Sequence, residues 1–290
     1  MKDMLCVLAF ICCSSRSDSH SPVATRVSPK NTISSEVVGG SYTAGGNPDA
    51  SGREPLFMRG APSVGWKIDG GYTAGDGSFS LDDSSRLNHL YDSLSLDSLG
   101  LSMEAFHTAV GGFLNLVLSG AVRNPGILSI IDFSLPSNQK RLFILDLFGG
   151  RLLFNSLVAH GRNSGALVPN RFSNRCNSLM SSLGFYLTGE SFIGQHGYSL
   201  RLEGKEKGWN DNAFRRAIIM HPADYVSEEH IRQWGFLGRS EGCPAIPEEL
   251  GRPIIDVIQG GSCLFVYSPD KKYLHRSSPD KRYLHRSKMG

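Results

Sequence analysis

The sequence predicts a mainly β domain, a compact sandwich or barrel over roughly 125–270, with a small helical part on its N-terminal side. Two observations point there. After Gly126, short apolar runs rich in Ile, Leu, Phe and Val recur between Pro, Asn and Gly clusters, as strands between turns do. Ahead of them, apolar residues repeat three and four positions apart, the period of a helix face.

Taken in order, the chain opens on MKDMLCVLAFICCSS, one lysine before an apolar run from Met4 to Cys13. That run is shorter than the roughly 20 apolar residues needed to cross a bilayer. It reads as an export leader over 1–15 rather than a stable membrane span. Over 16–80, Ser, Gly, Pro, Thr and Ala dominate without any period, the composition of a flexible linker. Order is expected from Leu81, beginning with a helical subregion over 81–124. Leu87, Leu90, Tyr91 and Leu94 form one helix face. Met103, Phe106, Val110, Phe113, Leu114 and Val117 form a second, with Ser102 as N-cap and Gly120 as stop. ILSIIDF, RLFILDL and RLLFNSLVAH then read as successive antiparallel strands, followed by runs at 185–187, 198–202, 217–221, 254–258 and 263–267.

At the C-terminal end, SPDKKYLHRS (Ser268 to Ser277) is copied as SPDKRYLHRS (Ser278 to Ser287). Two ten-residue units cannot build a repeat architecture. The first copy is expected to finish the last strand, and 271–290 to form a basic tail. The formal net charge is +3, of which 270–290 carries +5, leaving about −2 for the rest. The body of the protein is therefore no binder of nucleic acid or another polyanion.

Of six cysteines, Cys6, Cys12 and Cys13 lie in the leader, so Cys176, Cys243 and Cys263 remain. No CxxC pair exists, which argues against a structural zinc or a thioredoxin-type centre. An odd number leaves at least one free thiol, and a free thiol in an exported protein requires a reason.

GRSEGCPAIP (Gly238 to Pro247) supplies one. Cys243 follows Gly242 in a segment where a loop is expected, so the sulfur can be exposed while the Gly242 and Cys243 N–H groups face a developing oxyanion. Arg239 nearby favours the thiolate; a small buried cysteine beside a turn is the plainer alternative. His221 ends the apolar run of RRAIIMHPADYV, 22 residues before Cys243, and can serve as base and then acid once a short return brings the two together. Two histidines compete with it: His196 as a pocket residue and His160 as a structural strand-end group.

Six motifs in order carry a resemblance: IIDFS (Ile130 to Ser134), HGRNSG (His160 to Gly165), SSLGFY (Ser181 to Tyr186), QHGYSLRLEG (Gln195 to Gly204), NDNAFRRAIIMH (Asn210 to His221) and GRSEGCPA (Gly238 to Ala245). With them, the stretch from about Leu90 to Ser268 resembles the murein L,D-transpeptidase catalytic domain family of the YkuD-like superfamily. The resemblance implies a YkuD-like β-sandwich or barrel over 125–270. It implies Cys243 as nucleophile toward a peptidoglycan stem tetrapeptide, His221 as base, Gly242 with Cys243 at the oxyanion, and Ser240 shaping the loop. Arg239, His196, Gly197, Tyr198 and Arg216 are the implied substrate-binding residues. No cofactor or metal is implied. The terminal D-alanine is expelled, and the thioester is resolved by a second stem's amine, by an envelope protein or by water. Acylation of Cys243 by carbapenems and a periplasmic or envelope location are further implications.

Many relatives place an Arg two residues after the nucleophile, where this chain has Ala245; Arg239 is expected to supply that cation. The alternatives are an L,D-carboxypeptidase using the same residues, and a cell-wall binding module that keeps the fold without the chemistry. The presence of both Cys243 and His221 favours the enzyme.

Overall fold

Residues 88–277 are described by a computed structural model. The expected leader, the 16–80 linker, residues 81–87 and the second tail copy lie outside the described residues.

A helical stretch over 88–93 buries Leu90 and Tyr91, and the Tyr91 hydroxyl donates to Leu101 O at 2.5 Å. Helix α1 (Met103–Leu118) starts where the sequence places it, because Ser102 Oγ accepts the Ala105 N–H at 3.1 Å and satisfies one of the orphan donors of the first turn. It stops at Ser119 and Gly120, the latter at φ +71°, where a residue without Cβ is unstrained. Its apolar face, including Phe106 and Phe113, joins the same core as the strands.

Eight strands follow in one sheet: β1 (Ile127–Asp132), β2 (Leu142–Asp146), β3 (Arg151–Ser156), β4 (Gly184–Gly194), β5 (Gly197–Gly204), β6 (Ile219–Pro222), β7 (Ala245–Ile246) and β8 (Cys263–Tyr267). Their order is β3-β2-β1-β8-β4-β5-β6-β7. The sheet curls until its ends nearly meet. Beyond β3 the chain bridges back to the β7 side at Ala159↔Ala245 and Gly161↔Ser240, with Ala159 N–H donating to Ala245 O at 2.8 Å. The barrel-like β fold read from the sequence is thus the observed one. β8 lies centrally and reads CLFVY with every residue buried, as a strand covered on both faces must.

Three sequence expectations are corrected. Not every pair is antiparallel: β1 with β8 and β6 with β7 run parallel. Parallel neighbours need a crossover, which the helical connections between them supply. The apolar run 254–258 is no strand but the end of helix α3 (Glu248–Ile258). Ile254, Ile255 and Ile258 share its buried face with Gly251, and Glu248 and Glu249 sit at the positive end of the helix dipole. Finally, the first tail copy does not extend the last strand. β8 ends at Tyr267 and the copy folds into a short helix, α4 (Lys271–Ser277). Among the described residues no helix is long and apolar enough to cross a membrane.

Candidate active site

The parallel pairing of β6 and β7 builds the centre of the site. His221 lies opposite Ala245 and Pro222 opposite Ile246, so Cys243 stands two residues ahead of the strand partner of His221. The His221 N–H points to Pro244 O at 3.4 Å. The 21 residues between His221 and Cys243 are therefore a crossover rather than the short return expected. That crossover contains helix α2 (Glu228–Trp234), capped by Ser227 and closed by Gly235 at φ +79°.

The loop carrying Cys243 is held from within and from behind. Ser240 Oγ accepts the Gly242 N–H at 3.1 Å and donates to Cys243 O at 2.6 Å. Ser240 thus ties Gly242 and Cys243 to one hydroxyl. Gly242 spends its N–H on that hydroxyl, which leaves the Cys243 N–H without a partner among the described residues. Behind the loop, Ser181 Oγ donates to Gly242 O at 3.2 Å and accepts the Gly161 N–H at 3.0 Å. The backbones are in close contact there. A Cβ on Gly242, which sits at φ +125°, would lie 2.6 Å from Met180 O, and one on Gly161 would lie 2.7 Å from Leu179 O and 2.9 Å from Gly242 Cα.

The Cys243 sulfur is half-buried and faces Ala217 O at 3.7 Å. Burial pushes the thiol above its ordinary range; the Ile219 N–H and the Arg216 guanidinium pull the other way. His221 is buried, and burial holds its imidazole below the ordinary histidine value, with His196 adding to the effect. Its Nδ1 lies 2.9 Å from Pro222 O. A carbonyl only accepts, so Nδ1 carries the proton and Nε2 keeps its lone pair. The resting pair is therefore a neutral thiol with a neutral imidazole.

The other expected residues divide. His196, at the exposed tip of the β4–β5 hairpin, stacks on His221 with ring centroids 4.4 Å apart. Gly197 forms that hairpin's turn at φ +76°. Tyr198 is occupied elsewhere: its hydroxyl donates to Asp256 of α3 at 2.5 Å and its ring lies under Arg252. Arg216 braces the 173–182 segment, donating to Ser173 O at 2.8 Å, Met180 O at 2.5 Å and the Ser182 hydroxyl. It, and not Arg239, is the cation that acts on the Cys243 sulfur. Arg239 projects from the strand segment beside His160, donates to Gly165 O at 3.2 Å and covers the Phe236 ring. The expectation that Arg239 favours the thiolate is corrected on that ground.

His160 is structural, as expected. Fully buried, it accepts from Arg141 Nη2 at 2.8 Å and donates from Nε2 to Gly165 O at 3.2 Å. Burial and the Arg141 charge push its imidazole down to about 3.

Sequence reasoning missed Ser181, Ala217 and Tyr225. Ala217 takes φ +52°, a strained setting for a residue with a Cβ, and so aims its carbonyl at the sulfur. Tyr225 lines a cleft of about 490 Å³ beside His196, together with Gln195, Pro222, Asp224 and Glu248. Burial pushes its phenol up to about 12, and Cys243 adds to the rise. No local spacing marks these residues; only the fold assembles them. Among the described residues no group of three or more His, Cys, Asp or Glu is placed to hold a metal ion. All three described cysteines, Cys176, Cys243 and Cys263, are free.

Residues 97–267, more than half of the chain, match the family model of the L,D-transpeptidase catalytic domain (YkuD_2). No curated protein matches the sequence. Among solved structures, an L,D-transpeptidase from Mycobacterium smegmatis is similar at 11% identity and a TM-score of 0.31, over 49% of this chain and 59% of that one. The helical cell shape determining protein Pgp2 from Campylobacter jejuni is similar at 13% identity and a TM-score of 0.34, over 50% and 48%. L,D-transpeptidase 1 of Mycobacterium tuberculosis is similar at 10% identity and a TM-score of 0.29, over 49% and 62%. The chain spans about half to three-fifths of the length of these solved chains. The assignment rests on the family match: the chain belongs to the L,D-transpeptidase catalytic domain family.

Proposed function

We propose that the protein is a cell-wall L,D-transpeptidase in which Cys243 forms a thioester with a peptidoglycan stem tetrapeptide. The observation that carries this reading is the β6–β7 register. It brings the Cys243 loop to the His221 end of β6 and leaves His221 Nε2 with a free lone pair. His221 Nε2 takes the thiol proton as the sulfur bonds to the carbonyl carbon of the third stem residue. The tetrahedral oxyanion is met by the Cys243 N–H, which has no partner among the described residues. The C–N bond to the terminal D-alanine then breaks, and His221 returns the proton to the leaving amine. An acceptor amine adds to the thioester, loses its proton to His221, and the sulfur leaves and is reprotonated.

Arg216 and Ala217 position the sulfur, and His196 and Tyr225 border the cleft through which a stem peptide would approach. The acyl acceptor is a second stem peptide or an envelope protein, with hydrolysis as the carboxypeptidase outcome. An exported, envelope location accords with this substrate and with the leader-like residues 1–15.

The test is incubation of the purified protein with disaccharide tetrapeptide, followed by mass analysis of products and of the intact protein. Crosslinked dimers and a thioester adduct on Cys243 are expected, and Cys243→Ser loses both. Turnover undiminished in that variant removes Cys243 from the mechanism. A carbapenem adduct on Cys176 or Cys263 instead of Cys243 overturns the site.

A further inference from the structure

The tandem C-terminal repeat is the one sequence motif that the reaction does not use, and its first copy occupies a defined dock. Asp270 Oδ1 accepts the Lys272 and Tyr273 N–H groups at 2.9 and 3.0 Å and so starts α4. That turn drives Tyr273 fully into the core. Its ring meets Trp209 edge-on at 5.1 Å, and its hydroxyl donates to Glu206 Oε2 at 2.7 Å. Leu274 packs beside it. Glu206 also accepts the Phe185 N–H at 2.9 Å, and the segment that starts there runs on to Arg216 and Ala217 at the Cys243 sulfur. The dock therefore anchors one end of the segment that shapes the site.

Every residue that makes these contacts recurs ten positions later: Asp280 for Asp270, Tyr283 for Tyr273 and Leu284 for Leu274. The copies differ only at Lys272, which is Arg282 in the second. Lys272 is exposed and gives α4 only its backbone N–H, which arginine also has. The dock is built to read features the two copies share.

We propose that the dock formed by Glu206, Trp209 and Phe265, whose ring centroid lies 6.3 Å from that of Tyr273, accepts either copy, so that Ser278 to Ser287 serves as an intramolecular replacement for Ser268 to Ser277. Seating the second copy turns the first into a ten-residue loop between Tyr267 and Ser278. The entropy of closing such a loop favours the first copy by on the order of 30-fold. That bias is smaller than the loss from emptying a pocket shaped for a buried aromatic ring, so the second copy takes over when the first is damaged.

The test compares Tyr273→Ala, Tyr283→Ala and the double variant in the full chain, by thermal unfolding and by hydrogen exchange resolved to the two copies. Tyr283→Ala is expected to leave Tm unchanged, and Tyr273→Ala to lose less than the double variant loses. In Tyr273→Ala, amide protection is expected to leave 270–277 and appear over 280–287. Equal Tm losses in Tyr273→Ala and the double variant, or no protection of 280–287, overturn the proposal. Protection of 280–287 that vanishes on dilution places the second copy in another molecule and overturns it as well. Should Tyr273→Ala fail to fold, Asp270→Ala with Tyr273→Phe, which removes the N-terminal cap of α4 and the bond to Glu206 while keeping the ring, is read by the same exchange measurement, with protection over 280–287 expected and its absence counting against the proposal.

Discussion

The residue pair at the centre of the site rests uncharged. Burial holds His221 below the ordinary histidine value of 6.5 and raises Cys243. A base must be deprotonated to act, so activity persists as pH falls through 6.5 and is lost only when His221 takes a proton at its lowered value. The acid limb of kcat/KM toward a stem tetrapeptide is expected below pH 6.5; a limb at or above that value would contradict the assignment of His221 as base. This neutral pairing was not legible in the sequence. Arg239, four residues from Cys243 in the chain, looked like the cation at the sulfur, yet the fold turns it to Gly165 O and supplies Arg216 instead. Proximity along the chain and proximity in space coincide only within one turn or one strand pair.

At the scale of elements, the site depends on how closely three backbone segments approach. Gly161 follows β3, Met180 precedes β4, and Gly242 lies ahead of β7. A methyl group at position 161 would strike the backbone of Leu179 and Gly242, which cannot swing aside as a side chain could. Gly161→Ala is therefore expected to cost about 1–3 kcal/mol, read as a lower Tm, and to slow iodoacetamide capture of Cys243 through displacement of its loop. A fully stable variant with unchanged capture would show that the segments have room to part. The elements themselves were unequally readable. α1 carried its own cap and period, and β1, β2 and β8 were bounded by turns. The run 254–258 was misread because a five-residue apolar stretch fits a strand and a buried helix face equally well. The parallel β6–β7 pairing left no local mark, since a crossover is a property of topology and not of any window of residues.

For the whole molecule, stability is linked to pH through the buried Arg141 and His160. His160 holds its imidazole at about 3 in the fold, against 6.5 ordinarily. Below pH 6.5 the unfolded chain binds a proton that the folded one refuses, so this contribution is complete above 6.5 and declines as pH falls toward 3. The slope for one such proton is about 1.4 kcal/mol per pH unit. Urea unfolding at pH 7 and pH 5 is expected to show a smaller loss for His160→Asn, which keeps an acceptor for Arg141, than for the parent. Equal losses would place the acid sensitivity elsewhere.

The near-closure of the sheet has one more outcome. Strand edges left open are templates on which other chains can add, and here the bridges from 159–161 to 240–245 cover part of the β7 edge with the same segments that carry the Cys243 loop. Heat that parts this junction is expected to displace the Cys243 loop and bare unpaired backbone in a single event, so altered alkylation of the thiol and the onset of aggregation should share one temperature.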